Sequence, residues 1–204
     1  MAENKITSTD QLRELYGFPK GRAKDKVLST LEKHSKHFIS KSPFLLLSTI
    51  SKEGLMDVSP RGGIPGFVKI SESGDLLIPD AKGNNRMDSF TNIIETGSVG
   101  LIFLLPGIDE TLRINGSAYI TTDASILSLF DSEDKTPISC LVISIDELFL
   151  HCAKAFMRSK LWKGDFQIEP NDFPSIGVML KDQLKSNEEA ETREDMIKRY
   201  QKDL

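Results

Sequence analysis

The chain runs to 204 residues, of which 39% are hydrophobic and 27% charged, enough to bury one substantial core and ordinary for a soluble globular protein. Its formal net charge of −4 argues against nucleic acid or an anionic membrane surface as partner, although local basic clusters can still hold small anions. The opening MAENKITSTD has no apolar run of the kind a secretion signal needs, and the densest apolar runs, 44–47 and 101–105, are too short to cross a bilayer. A cytoplasmic protein is expected.

Residues 1–40 read as polar and helical. Asp10 is placed to cap a short helix through Leu15, and a second helix is expected from about Ala23 to Phe38, with Val27, Leu31 and Phe38 towards one side. His34 and His37 on it lack a third ligand, so no metal is expected. From Pro43 the texture changes. FLLLSTI, LMDVSPR, GFVKI and LLIP are four closely spaced extended segments separated by turns, which is the pattern of an antiparallel meander.

The stretch IPDAKGNNRMDSF reads as a strand end, a polar glycine turn and a helix start. Met87, Phe90, Ile93 and Ile94 fall on one helical face, Asn85 is the expected N-cap with Asp88 as its capping-box acid, and Gly97 is a suitable stop. Strands resume with SVGLIFLL and TLRINGSAYIT. Asn115-Gly116 is a hairpin signal, but the alternation stays in phase across it, which favours one long, locally bent strand. Asn115-Gly116-Ser117 also matches a glycosylation sequon, idle without a secretion signal. Asp123 should cap the short helix ILSLF, followed by a polar loop. CLVISIDELFL is a last strand and HCAKAFMRSKLW should turn helical. The tail holds SIGVML and a charged terminal helix from about Glu188. The fold that fits is α+β, an antiparallel barrel of about six strands with flanking helices.

Four polar-cationic patches can carry chemistry: Ser59-Pro60-Arg61-Gly62-Gly63 at a strand end, the turn with Asn84, Asn85 and Arg86, the Thr111/Arg113 strand face, and Lys154, Arg158 and Trp162. The last three, spaced i, i+4, i+8, should share a helical face suited to an anionic, aromatic ligand. Other chemistries lack their parts. There is no Walker loop, no G-x-G-x-x-G and no G-x-S-x-G elbow. Cys140 and Cys152 form no C-x-x-C pair, and adjacent His151 and Cys152 would point to opposite faces of a strand.

Taken together, DVSPRGGIPGFVKI, LLIPDAKGNNRMDSFTNI, VGLIFLLPGIDETLRINGSAYIT and HCAKAFMRSKLW resemble the FMN-binding split-barrel family related to pyridoxamine 5′-phosphate oxidase, and within it the subgroup of predicted flavin-nucleotide-binding proteins. The resemblance implies a six-stranded split barrel over residues 41–165, with a helical segment at 1–40 and a helical tail at 166–204. It implies a homodimer with FMN at the subunit interface and a flavin-dependent oxidoreductase acting on a small-molecule substrate. The alternative is a non-catalytic FMN-binding or heme-handling module, and deazaflavin F420 stays open as cofactor. By position, Ser59, Arg61 and Gly62 meet the flavin and phosphate, Pro79 and Asp80 lie along the flavin edge, and Asn84, Asn85 and Arg86 form the phosphate turn. Thr111 and Arg113 lie against the ring, while Lys154, Arg158 and Trp162 approach from the partner. No catalytic acid or base is nominated. Two departures argue against pyridoxamine phosphate as substrate. Met87 follows Arg86 where the oxidase has a basic residue, and the Arg-x-His signature is missing, since Glu32, Ser35 and Phe149 precede His34, His37 and His151 at that offset.

Overall fold

The computed structural model describes residues 4–80, 83–131 and 136–202. Ala81 and Lys82 of the glycine turn, and 132–135 of the expected polar loop, lie outside the described residues.

Seven strands form one antiparallel sheet: β1 (Phe44–Ile50), β2 (Met56–Gly62), β3 (Lys69–Ile70), β4 (Leu76–Pro79), β5 (Ser98–Leu104), β6 (Thr111–Thr121) and β7 (Cys140–His151), in the order β2-β1-β5-β6-β7-β4-β3. The sheet curls so that residues from both ends, Leu45 and Leu47 of β1 and Leu76 and Ile78 of β4, enter one core with Phe103, Leu112 and Ile114. The order ends at β2 and β3, so the barrel is split between these edges. Each of the seven corresponds to an extended segment read from the sequence, one more than the expected total of about six, and β3 keeps only the last two residues of GFVKI.

β6 is the long strand the alternation predicts. Its pairing with β7 shifts by one residue at Asn115/Gly116, Asn115 facing Glu147 and Gly116 facing Ile145. The extra residue is therefore Asp146 on β7, which is why β6 itself keeps its phase.

Eight α-helices are described: α1 (Thr9–Tyr16), α2 (Arg22–Asp25), α3 (Lys33–Lys41), α4 (Asp88–Thr96), α5 (Ala124–Leu127), α6 (Lys154–Ser159), α7 (Ile176–Leu184) and α8 (Arg193–Tyr200). None is long and apolar enough to cross a membrane. Ser8, not Asp10, caps α1, its hydroxyl accepting from the Gln11 N–H at 3.2 Å. The single helix expected over 23–38 is instead α2 and α3. β4 pairs only with residues 140–143 of β7, which leaves the far edge of β7 open, and Leu28 pairs there with Leu148 through two backbone bonds of 2.9 and 2.8 Å. Glu32 then starts α3 afresh, its carboxylate accepting from the N–H groups of His34 and Ser35. α5 and the 3-10 turn Ser128–Phe130 cover the outer side of β4 and β7, where Phe130, Leu77, Cys140 and Val142 make a smaller core.

α4 closes one side of the split. Ile93 is buried, and Asn92 donates to the Thr49 hydroxyl of β1 at 3.0 Å. Gly97, at φ +67°, ends the helix with its N–H on the Ile93 carbonyl, as expected.

Candidate functional site

β2 is an edge strand whose inward face is polar. In register, Asp57, Ser59 and Arg61 stand opposite Thr49, Leu47 and Leu45, all buried. They therefore point to the core side of the sheet, at the split, while Met56, Val58 and Pro60 point out. The first turn of α4 meets them there. The Ser89 hydroxyl donates to Asp57 Oδ2 at 2.5 Å and lies 3.0 Å from the Ser59 hydroxyl, and the Arg61 guanidinium sits 5.7 Å from the Phe90 ring centroid.

The turn before α4 supplies the other wall. Asn84 Oδ1 accepts from the Arg86 N–H at 3.1 Å, and Arg86 Nε donates to Asp88 Oδ2 at 2.7 Å. Asn85 and Met87 are both left-handed, at φ 59° and 58°. Asn85 is thus not the N-cap. The chain enters the helix through Met87, whose carbonyl takes the Thr91 N–H, and Asp88 is drawn to Arg86 instead of completing a capping box. A left-handed methionine costs about 1–2 kcal/mol, and the packed helix behind it holds the conformation in place.

The result is a cleft of about 320 Å³ lined by Ser59, Arg61, Asp80, Asn84, Asn85 and Arg86, together with Asp57, Ser89 and Phe90. Arg61 Nε is buried and has no hydrogen-bond partner among the described residues. Burial pulls the Arg61 pKa down while the Asp80 and Asp57 carboxylates hold it up, and burial pushes the Asp80 carboxyl above its ordinary value against the pull of Arg61. Asp88 holds the exposed Arg86 firmly protonated. A forked cation that lines a polar cleft, with one buried nitrogen unbonded among the described residues, has the chemistry to hold an oxyanion.

Gly62 and Pro79 sit beside this cleft as the last residues of β2 and β4. The remaining expected residues lie elsewhere in the chain. Pairing runs Arg113–Ile102–Leu46–Pro60 across four strands, so Arg113 is on the opposite face of the sheet from Arg61. Its guanidinium lies 5.1 Å from the Phe149 ring centroid, and Lys26 Nζ stands 5.0 Å from the same ring. Thr111 is buried beside His151, whose Nδ1 is buried with no hydrogen-bond partner among the described residues. Lys154 and Arg158 are exposed on α6, but that helix stops at Ser159, and a left-handed Lys160 turns the chain before Trp162. Trp162 is therefore off the expected helical face. It stacks on Phe156 at 5.5 Å and donates Nε1 to the Ile108 carbonyl at 2.9 Å.

Sequence reasoning missed Asp57 and Ser89. The first was within reach, because Asp57, Ser59 and Arg61 alternate in DVSPR. The second depends on α4 packing against β2, which no local pattern records. Among the described residues no group of three or more His, Cys, Asp or Glu side chains is placed to hold a metal.

The family model described as pyridoxamine 5′-phosphate oxidase matches residues 31–152. The chain belongs to this family. The matched span includes both walls of the cleft and all seven strands. Among solved structures, a variant of HupZ from Group A Streptococcus is similar with a TM-score of 0.50 and 13% identity, covering 60% of this chain and 100% of that one. The heme storage protein HutZ from Vibrio cholerae aligns with a TM-score of 0.42 and 12% identity over 59% of this chain and 94% of its own. An F420 reductase aligns with a TM-score of 0.42 and 15% identity over 59% and 98%. At such identities the first of these likenesses speaks for the fold alone. A search of curated proteins finds no match.

Proposed function

We propose that this member of the pyridoxamine 5′-phosphate oxidase family binds FMN as a homodimer and works as a flavin-dependent oxidoreductase on a small molecule. The observation that carries the reading is the convergence of Arg61, Arg86 and the Asn84–Asn85 turn on one cleft, with a buried Arg61 nitrogen left unbonded among the described residues. The residues fit the group. Arg61 and Arg86 are suited to the phosphate, and Ser59 and Asp80 to polar atoms further along the ligand. A volume of about 320 Å³ is at the small end of cofactor pockets, room for the phosphate and sugar alcohol with the ring projecting outwards. Bound flavin would supply the electron transfer; the protein's part is to hold the phosphate and set charge near the ring.

A second reading, an FMN-binding or heme-handling module without turnover, draws on a different observation. Among the described residues no His or Cys lines the cleft, the Asp57 carboxylate is taken by the Ser89 hydroxyl and Asp80 lies in the field of Arg61, an arrangement suited to binding and without a histidine-activated nucleophile. The absorption spectrum of the purified protein separates these. Flavin bands, with FMN released on denaturation, are expected, and anaerobic NADH or NADPH should bleach them. A flavin that no common donor reduces favours the module, a heme spectrum favours heme handling, and a colourless protein that leaves FMN fluorescence unquenched overturns flavin binding.

A further inference from the structure

The hydroxyl chain at the back of the cleft runs in one direction. Asp57 offers only acceptors, so the 2.5 Å contact takes the Ser89 proton to Asp57 Oδ2. Ser89 has no second proton, so the 3.0 Å contact between the two serines must be made by the proton of Ser59. Ser89 is buried, only 4% exposed, and Asp57 and Ser59 are half-buried. Ser59 is thereby left with lone pairs alone to show to the cleft. We infer that Ser59 accepts a hydrogen bond from a hydroxyl donor of the ligand and does not hold its phosphate, with Ser89 and Asp57 as the positioning residues that fix this polarity.

A phosphate monoester at neutral pH carries acceptor oxygens and would meet Ser59 lone pair to lone pair. Arg61, two residues along the same strand and so roughly 7 Å away, is the group that welcomes it. That separation suits the sugar-alcohol chain of FMN, which joins phosphate to ring and carries hydroxyl groups along its length. The inference rests on the FMN reading and deepens it: Ser59 selects the ribityl chain, and Arg61 the phosphate.

The test measures fluorescence quenching of FMN, riboflavin and lumiflavin, in which a methyl replaces the ribityl chain, by full-length Ser59→Ala, Ser89→Ala and the double variant. Each single variant should lose about tenfold affinity for both FMN and riboflavin, with lumiflavin changed by less than about twofold. The double variant should be no worse than Ser59→Ala, because Ser89 acts only through Ser59. A Ser59→Ala protein that loses FMN while keeping riboflavin puts Ser59 on the phosphate and overturns the inference. Equal losses for lumiflavin, or additive losses in the double variant, overturn it too. Should Ser89→Ala fail to fold, the FMN-to-riboflavin comparison in Ser59→Ala still decides. Wild-type protein that is folded but binds none of the three flavins overturns the FMN reading itself, an outcome distinct from all of these.

Discussion

Arg61 and Arg86 face the same cleft from different surroundings, and that difference sets what each can contribute. Arg61 is partly desolvated, lies against Phe90 and has a buried nitrogen still to be satisfied, so an arriving phosphate meets a cation that water screens poorly. Arg86, with its side chain 74% exposed, is already engaged by Asp88 and shares its charge with solvent. Arg61→Ala should therefore weaken FMN by about ten- to a hundredfold while costing riboflavin much less, as expected for a lost charge-assisted contact. Arg86→Ala should show the same selectivity at the lower end of that range, and its effect should fade in high salt. Equal losses for FMN and riboflavin in a titration would place both arginines away from the phosphate.

At the scale of the elements, what was legible in the sequence is what local pattern encodes. β1, β5 and β6 announce themselves by apolar runs and strict alternation, and the polar residues of DVSPR and GNNR mark the cleft because they interrupt that pattern at a strand face and a turn. What stayed hidden depends on distant partners. The break between α2 and α3 follows from an open edge of β7 more than a hundred residues away, and the irregularity expected as a bend at Asn115-Gly116 is a bulge carried by Asp146. Gly116 is nevertheless the residue that the bulge constrains. A Cβ there would sit 2.1 Å from the Ser144 carbonyl oxygen, a backbone atom that cannot step aside alone. Gly116→Ala should cost about 1–3 kcal/mol or more as an overpacking change. The check is a lowered melting temperature with riboflavin affinity unchanged in the protein that remains folded. An unchanged melting temperature would mean that β7 yields freely at the bulge.

For the whole molecule, the decisive fact is that one sheet separates the two halves of the expected site. Arg61 points to the core side with Leu45, Phe103 and Leu112, and Arg113 to the outer side with Ile102, Leu46 and Pro60. Lys154 and Arg158 follow β7 on α6, exposed and not among the residues lining the cleft. On the proposed reading, a second chain brings such groups to a ligand lodged against Arg61. The outer sheet face also carries Met56 and Val58 at 64% and 60% exposure, apolar surface that a partner would cover. Two-fold symmetry would then build two sites at once, each with Arg61 and Arg86 from one chain and α6 from the other. The proposal is tested by mixing chains that are each weak in FMN binding alone. Arg61→Ala and Arg158→Ala proteins, unfolded together and refolded in equal amounts, should pair at random, and each heterodimer should hold one site with both arginines intact. Since half the dimers are mixed and each has one such site of two, about a quarter of all sites should recover wild-type affinity. Stoichiometric titration of FMN into the mixture measures that fraction directly, with a refolded sample of each variant alone as the baseline. Recovery near zero, in a preparation whose mass shows dimers, would mean that both arginines serve a site within one chain or that Arg158 serves none.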